Sequence, residues 1–428
     1  MNSTTSLSFL TLSHSKENEP LGSLDRFIPR RDSMDLATFN INIIKDAKEK
    51  IKKTPKESAY SSMLKENMAP SNQTRKNSLI INPDMPKKNG FYVPQSIQKK
   101  RGKTKPIPDR PFKILEAPEL TDDFYSNILD WSCQNQLAVC LNNIIYLMDM
   151  QTYNNTKLYH AYDCESITSI KFNKEGDKLI FGNIIGQLSV WDLNKQKEIN
   201  SFTTHNDRIA ALDWKDVVIS GSRDHQIIAS DFRLENPSIA VFKSHLSEVC
   251  QLKYSSFDNK TFASGGNDNK VLVWSLHNTI PIMSERHSSC IKALAWSKTQ
   301  HNMLYSGGGI QDGIIKKWNV NTKELVHQKE TNSQICSLLT SQWSNNIIST
   351  HGYPYNEISI WDGNSLKNLD SLTSHTERIL HTCFSHDDRV LVTGSCDDTL
   401  QFWQIHKDNT KHHKSNNPFQ TNSVLSLR

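Results

Sequence analysis

Ala263-Ser264-Gly265-Gly266-Asn267-Asp268-Asn269-Lys270-Val271-Leu272-Val273-Trp274-Ser275 decides the fold. It reads as the end of one strand, a polar turn, and a second strand in which Val271 and Val273 alternate towards a closing Trp274. Gly and Asn tolerate positive φ, and Asx side chains bond back to nearby amides, so the turn chemistry fits a hairpin. The unit recurs. Trp, or a substitute followed by a polar residue, stands at Met148-Asp149, Trp191-Asp192, Ser230-Asp231, Trp274-Ser275, Trp318-Asn319, Trp361-Asp362 and Trp403-Gln404, at intervals of 43, 39, 44, 44, 43 and 42 residues.

That period is the one of WD-type repeats. Seven units predict an all-β chain whose residues 111–409 form a seven-bladed WD-repeat β-propeller, each blade four short antiparallel strands packed radially around a channel. Each unit runs through an apolar strand, such as 167–172 or 291–296, then a second strand ending in Ser-Gly or similar, a turn, and the Trp strand. Residues 111–118 precede the first unit and are expected to supply the strand that closes the ring. An Asp lies six residues before the closing position at Asp224, Asp268, Asp312 and Asp397, and His opens the same units at His205, His245, His287 and His375. These pairs read as a buried hydrogen-bonded set that fixes the turn, not as acid–base machinery. Ile185 and Tyr355 replace the Asp in units two and six, so those blades are expected to be less regular.

Charge divides the chain. The net +5 of 428 residues hides a basic segment, 1–110, with 21 Lys/Arg against 11 Asp/Glu, and a slightly acidic remainder with 29 against 34. All nine Trp and all eight Cys also lie after residue 110. A segment rich in Lys, Asn, Ser and Pro with no sustained apolar period cannot bury enough surface to offset its ordering entropy, so 1–110 is expected to be a disordered tail. Residues 410–428 form a short polar C-terminal tail. No stretch approaches the ~18 apolar residues of a membrane span, and no basic-then-apolar leader opens the chain. Neither a membrane nor a nucleic acid is an expected partner. No cysteines form a CxxC pair, and Cys250, Cys290, Cys336 and Cys383 lie close to or within apolar strands, as buried reduced thiols do in a reducing compartment. There is no phosphate loop, metal-ligand spacing or nucleophile elbow, so no catalytic residues, metal or cofactor are expected.

Short islands in the tail carry binding chemistry. In Asp25-Arg26-Phe27-Ile28-Pro29-Arg30-Arg31, Phe27 and Ile28 can fill a pocket while Arg residues pair with carboxylates and Pro29 holds an extended backbone. Lys16-Glu17-Asn18 is repeated as Lys65-Glu66-Asn67, followed by Pro70. Thr54-Pro55-Lys56 has the form of a proline-directed phosphorylation site at Thr54, and Lys99-Lys100-Arg101-Gly102-Lys103-Thr104-Lys105 that of a nuclear-import patch. The expected locations are nucleus and cytoplasm.

These motifs together resemble the Fizzy/Fizzy-related family of WD-repeat co-activators of the anaphase-promoting complex, a ubiquitin ligase. The resemblance rests on Asp25, Arg26, Phe27, Ile28, Pro29 and Arg31 as a C-box, on Pro111-Phe112-Lys113-Ile114-Leu115-Glu116-Ala117-Pro118, and on Asp122-Asp123-Phe124-Tyr125. It continues through Gly307-Gly308-Gly309, Ser333-Gln334-Ile335-Cys336-Ser337 and His375-Thr376-Glu377-Arg378-Ile379-Leu380 to a C-terminal Leu427-Arg428. It implies that the C-box and Leu427-Arg428 dock on the ligase, and that the propeller recruits substrates such as cyclins and securin through short degrons. For the KEN degron the matching positions are Asp123, Phe124, Asn267, Asn269, Gln334 and Arg378: a carboxylate for its Lys, a guanidinium for its Glu, amides for its Asn. Glu116 matches the acidic residue of the destruction-box site. Ile310 and Phe124 depart from the usual Thr and Tyr and remove a hydroxyl each. The tail copies, Lys16–Asn18 and Lys65–Asn67, are candidate degrons for the protein's own turnover or elements used in inhibited complexes. Met34-Asp35-Leu36-Ala37-Thr38-Phe39 and the downstream KEN favour the mitotic Fizzy branch, which also binds spindle-checkpoint proteins. Glu119-Leu120 points instead to the Fizzy-related branch, active in G1 or meiosis. A general WD-repeat scaffold is the further alternative.

Overall fold

The computed structural model describes residues 109–162 and 165–406, and the backbone of 425–426. Among them there is no α-helix; the strands form seven sheets, antiparallel except where Lys113–Glu116 pairs in parallel with Leu425–Ser426. Blade one is built from Leu129–Trp131, Gln136–Leu141, Ile144–Asp149 and Asn155–His160, and the pattern repeats through blades two to six. In blade seven the strands Ile379–Phe384, Val390–Ser395 and Thr399–Gln404 are completed by Lys113–Glu116, which pairs antiparallel with the last of them (Lys113 opposite Phe402, Glu116 opposite Thr399). The first of the described strands therefore closes the ring. Innermost strands touch from blade to blade all the way round, Leu129–Trp131 meeting Ile379–Phe384.

The quoted stretch is blade four's central hairpin. Thr261–Gly266 pairs with Lys270–Ser275, Ala263 opposite Val273 and Gly265 opposite Val271. Asn269 closes the turn at φ +63°, with its N–H on the Gly266 carbonyl at 3.2 Å. Gly265 is required by packing: a Cβ there would stand 2.5 Å from the Ile291 carbonyl of the next blade. All seven closing positions lie in the third strand of their blade. The outer fourth strands carry little apolar pattern because little of them is buried; every residue of Glu324–Glu330 is exposed.

The polar network forms where it was expected. His245 Nδ1 meets Asp268 at 2.9 Å and its Nε2 meets Ser264 Oγ at 2.7 Å, which accepts Trp274 Nε1–H at 2.8 Å. His205–Asp224, His287–Asp312 and His375–Asp397 repeat the contact. Blades two and six differ from expectation. Both have four complete strands, so the departure does not reach the sheets. In blade two Asn183 Oδ1 takes the N–H groups of Ile185 and Gln187, at 3.2 and 2.9 Å, and Trp191 Nε1 has no partner among the described residues. In blade six His351, at the end of the second strand, enters from another direction: its Nδ1 meets Ser333 Oγ at 2.7 Å and its Nε2 meets Ser349 Oγ at 2.6 Å, which accepts Trp361 Nε1–H at 2.7 Å. The imidazole survives with a serine in place of the carboxylate.

Candidate functional site at the channel mouth

Between the closing strand and blade one, residues 121–127 cross one mouth of the channel. Their hydrogen bonds trace the crossing. The Thr121 carbonyl meets His381 Nε2 at 3.2 Å and Asp122 meets Arg378, both in blade seven. Asp123 accepts Arg208 Nη1–H from blade three at 2.7 Å, and Tyr125 donates its phenol to Asn267 Oδ1 of blade four at 3.1 Å. The Ser126 carbonyl accepts from Lys292 of blade five at 2.8 Å, and Asn127 Nδ2 donates to the Ala210 carbonyl at 2.7 Å. Asn127 also takes up backbone bonds with Thr168 and Ile170 of blade two, both at 2.9 Å, so a strap of seven residues ties five blades together. Below it a channel cavity of about 350 Å³ is lined by Asp130, Lys171, Asp213, Lys253, Lys298 and Asp388 among others. Lys171–Asp130 (2.8 Å) and Lys298–Asp388 (2.7 Å) are ion pairs within it.

Repeat geometry supplies the ring around the strap. Arg208, Glu248, Cys290, Gln334 and Arg378 each stand immediately before the innermost strand of blades three to seven, so successive blades present them at the same level. Arg208 is 5% exposed and gripped by Glu248 at 2.5 and 2.8 Å. Burial disfavours the Arg208 charge, but the Glu248 hydrogen bonds and the Asp123 and Glu248 charges outweigh it and raise its pKa. Arg378, 2% exposed, bonds Asp122 through Nη2, while its Nη1 has no partner among the described residues. The Asp122 oxygen also accepts the Cys396 thiol at 2.7 Å, and burial first, then that carboxylate, push the thiol pKa up. Gln334, 2% exposed, has no partner for Nε2 among the described residues; a Cβ at Gly352 would stand 2.8 Å from its Oε1. His381 is held neutral, its pKa lowered to about 3 by burial and then by Lys292.

The positions expected to contact a degron fall into distinct settings. Asp123, Phe124 and Asn267 meet at the strap: Phe124 is buried and packs edge-to-face on Tyr125 at 5.4 Å. Gln334 and Arg378 belong to the ring of equivalent positions. Asn269 lies on the blade-four turn beside Asn267, its carbonyl accepting His287 N–H at 2.9 Å. Glu116 is elsewhere, exposed at the end of the closing strand, opposite Thr399 on one edge and, in parallel register, Ser426 on the other. The C-box (Asp25 to Arg31), both KEN copies, Thr54 and Leu427-Arg428 lie outside the described residues. Arg208, Glu248 and Lys292 were missed by the sequence reading, and Asp122 and Tyr125, which carry the resemblance, were given no role in the site. Position alone could have found two of them, since Arg208 and Glu248 hold the same place before their strands as Gln334 and Arg378. Cys250 and Cys336 are buried free thiols as expected, whereas Cys290 is only half-buried. Among the described residues no group of three His, Cys, Asp or Glu could hold a metal.

Residues 115–403 match the model of the CDC20/Fizzy WD40 domain, about two thirds of the chain. The chain belongs to the CDC20/Fizzy family. The protein named FIZZY-RELATED 1 of Arabidopsis thaliana is 36% identical, over 89% of this chain and 84% of its own. The APC/C activator protein CDH1 of Saccharomyces cerevisiae is 39% identical, over 69% of this chain and 52% of its own. A chain in the crystal structure of a mitotic checkpoint complex superposes with a TM-score of 0.69 at 32% identity, covering 76% of this chain and all of that one. The preference for the mitotic Fizzy branch gains no support from these relatives. Tail motifs that favoured it are short, whereas the matches to Fizzy-related proteins extend along most of the chain.

Proposed function

We propose that the chain is a substrate-recruiting activator of the anaphase-promoting complex, of the Fizzy-related type, with no bond chemistry of its own. The observation that carries this reading is the channel mouth. A degron peptide needs buried, prepositioned polar groups, and two N–H donors here, Arg378 Nη1 and Gln334 Nε2, lack partners among the described residues. An unpaired buried donor is costly, so such groups suit an incoming acceptor. In this reading Arg378 and Gln334 take the degron Glu and Asn, Asn267 and Asn269 add amide contacts, and Asp123 lends negative charge for the degron Lys while bonded to Arg208. Glu116 receives the basic residue of a destruction box, and the C-box with Leu427-Arg428 docks on the ligase. Names of relatives support the type: FIZZY-RELATED 1 and the APC/C activator protein CDH1. Precipitation of the ligase with the full-length protein tests it. Arg26→Ala combined with removal of Arg428 is expected to abolish recovery, and unchanged recovery sinks the reading.

A second reading, a mitotic activator that binds checkpoint proteins, is favoured by the likeness to a chain of a mitotic checkpoint complex and by 36% identity to the anaphase-promoting complex subunit cdc20 of Dictyostelium discoideum. Binding of the purified chain to a spindle-checkpoint protein separates the two; the Fizzy-related reading expects none.

A further inference from the structure

Lys292 is one of the largest fully buried side chains, 2% exposed, on the innermost strand Ile291–Trp296 of blade five. Lysine is almost never buried this far without a carboxylate. Neither of its hydrogen bonds is to one: Nζ donates to the Ser126 carbonyl at 2.8 Å and to the Leu380 carbonyl of blade seven at 3.2 Å. It also stands 5.5 Å from the centroid of the Phe124 ring, within cation–π reach. A methionine or leucine would fill this volume at no desolvation cost. What only a long cation supplies is a reach across the channel that pins the strap from beneath. The residues pinned, Phe124 and Ser126, flank Tyr125, which holds Asn267, and follow Asp123, which holds Arg208.

We propose that Lys292 is the positioning residue of the degron pocket: its ammonium fixes Asp123, Phe124 and Asn267 in the geometry that receives the peptide, without touching the peptide. This rests on the degron reading of the mouth. The groups facing the ammonium are Asp123 on the strap, Cys250 in blade four, Cys336 in blade six, and His381 and Cys396 in blade seven. Asp123 is engaged by Arg208 and His381 is already neutral. Burial pushes the Cys336 thiol up to about 12 and those of Cys250 and Cys396 upward too. Lys292 itself is lowered to about 8 by burial, so it is the member of this cluster that changes charge just above neutrality.

Full-length Lys292→Met, compared with wild type, tests the assignment by calorimetric titration with an acetylated, amidated Lys-Glu-Asn peptide and, separately, a destruction-box peptide. Loss of two charge-assisted bonds predicts at least about tenfold weaker binding of the first peptide. Binding of the second, whose basic residue goes to Glu116 on the closing strand, stays unchanged, which a general loss of structure would not allow. Wild-type affinity for the first peptide falls about threefold between roughly pH 7 and pH 9, as the charged bonds become neutral ones, whereas the peptide's own side chains do not titrate there. Lys292→Met lacks that slope. Equal binding by wild type and variant overturns this proposal alone; absence of wild-type binding overturns the degron reading and this proposal with it. Should Lys292→Met fail to fold, a flat wild-type profile over the same pH range overturns the assignment and the predicted fall supports it.

Discussion

Asn267, Asp268 and Asn269 are consecutive and chemically similar, yet they do three different things. Asp268 builds the blade, accepting from His245, from Leu246 N–H at 2.9 Å and from Lys270 N–H at 3.2 Å. Asp268→Ala removes a buried acceptor from three donors and is expected to cost about 2–4 kcal/mol of stability, read in a denaturant melt. Asn267 serves the strap through Tyr125. Asn269 has two roles, because its φ of +63° is one that Ala resists. Ala there would confound strain with loss of the amide. Asn269→Gly keeps the turn and deletes the amide, so it is expected to melt within about 1 kcal/mol of wild type while weakening KEN-peptide binding. A melt shifted as far as that of Asp268→Ala would show that the side chain is structural. Arg208 is the sharper case. Arg208→Met strands Glu248 and Asp123 together at the mouth, and about 3–5 kcal/mol of destabilisation is expected, relieved in large part by adding Glu248→Gln.

Within single blades, one structural task is met by different residues. Blade four uses His, Asp, Ser and Trp; blade six reaches the same indole through His351 and two serines. The blade-six solution makes stability depend on acid. Burial lowers the pKa of His351 to about 4, so the folded chain keeps it neutral while the unfolded chain protonates it near 6.5. A lowered histidine contributes stability that is present above the unfolded value and is lost as pH falls towards the folded one. His381, lowered to about 3, acts in the same direction. Stability is therefore expected to decline from about pH 6.5 towards pH 4, with His351 contributing up to about 3 kcal/mol of the fall. His351→Gln should start less stable at pH 7 and show a shallower decline. An equal slope in thermal melts of the two chains would contradict this account.

At the scale of the whole molecule, closure and the strap convert a chain of repeats into one unit. Stacked repeats otherwise gain stability from nearest neighbours alone. Here Lys113–Glu116, first of the described strands, completes the last blade, and 121–127 spans the mouth a few residues later. Deleting 1–118 is expected to leave the edge of Thr399–Gln404 unpaired and to replace one cooperative melt by a lower, broader one. A sharp melt at the wild-type temperature would show that ring closure is dispensable.

The sequence makes the architecture legible, because a period near 43 residues, turns rich in Gly and Asx and a recurring Trp are local signals whose meaning does not depend on where the chain goes next. It also marked Asp268 as structural and the neighbouring amides as candidates. It did not determine that Ile185 and Tyr355 leave their blades intact, since the substitutes, Asn183 and His351, arrive from other strand positions. Nor did it reveal Arg208, Glu248 or Lys292. Arg208–Asp123 are separated by 85 residues and Lys292–Ser126 by 166, and such partners come together only when the ring closes. The blades follow from periodicity. The mouth is decided by closure, which brings one residue from each of several blades to a strap that no single repeat encodes.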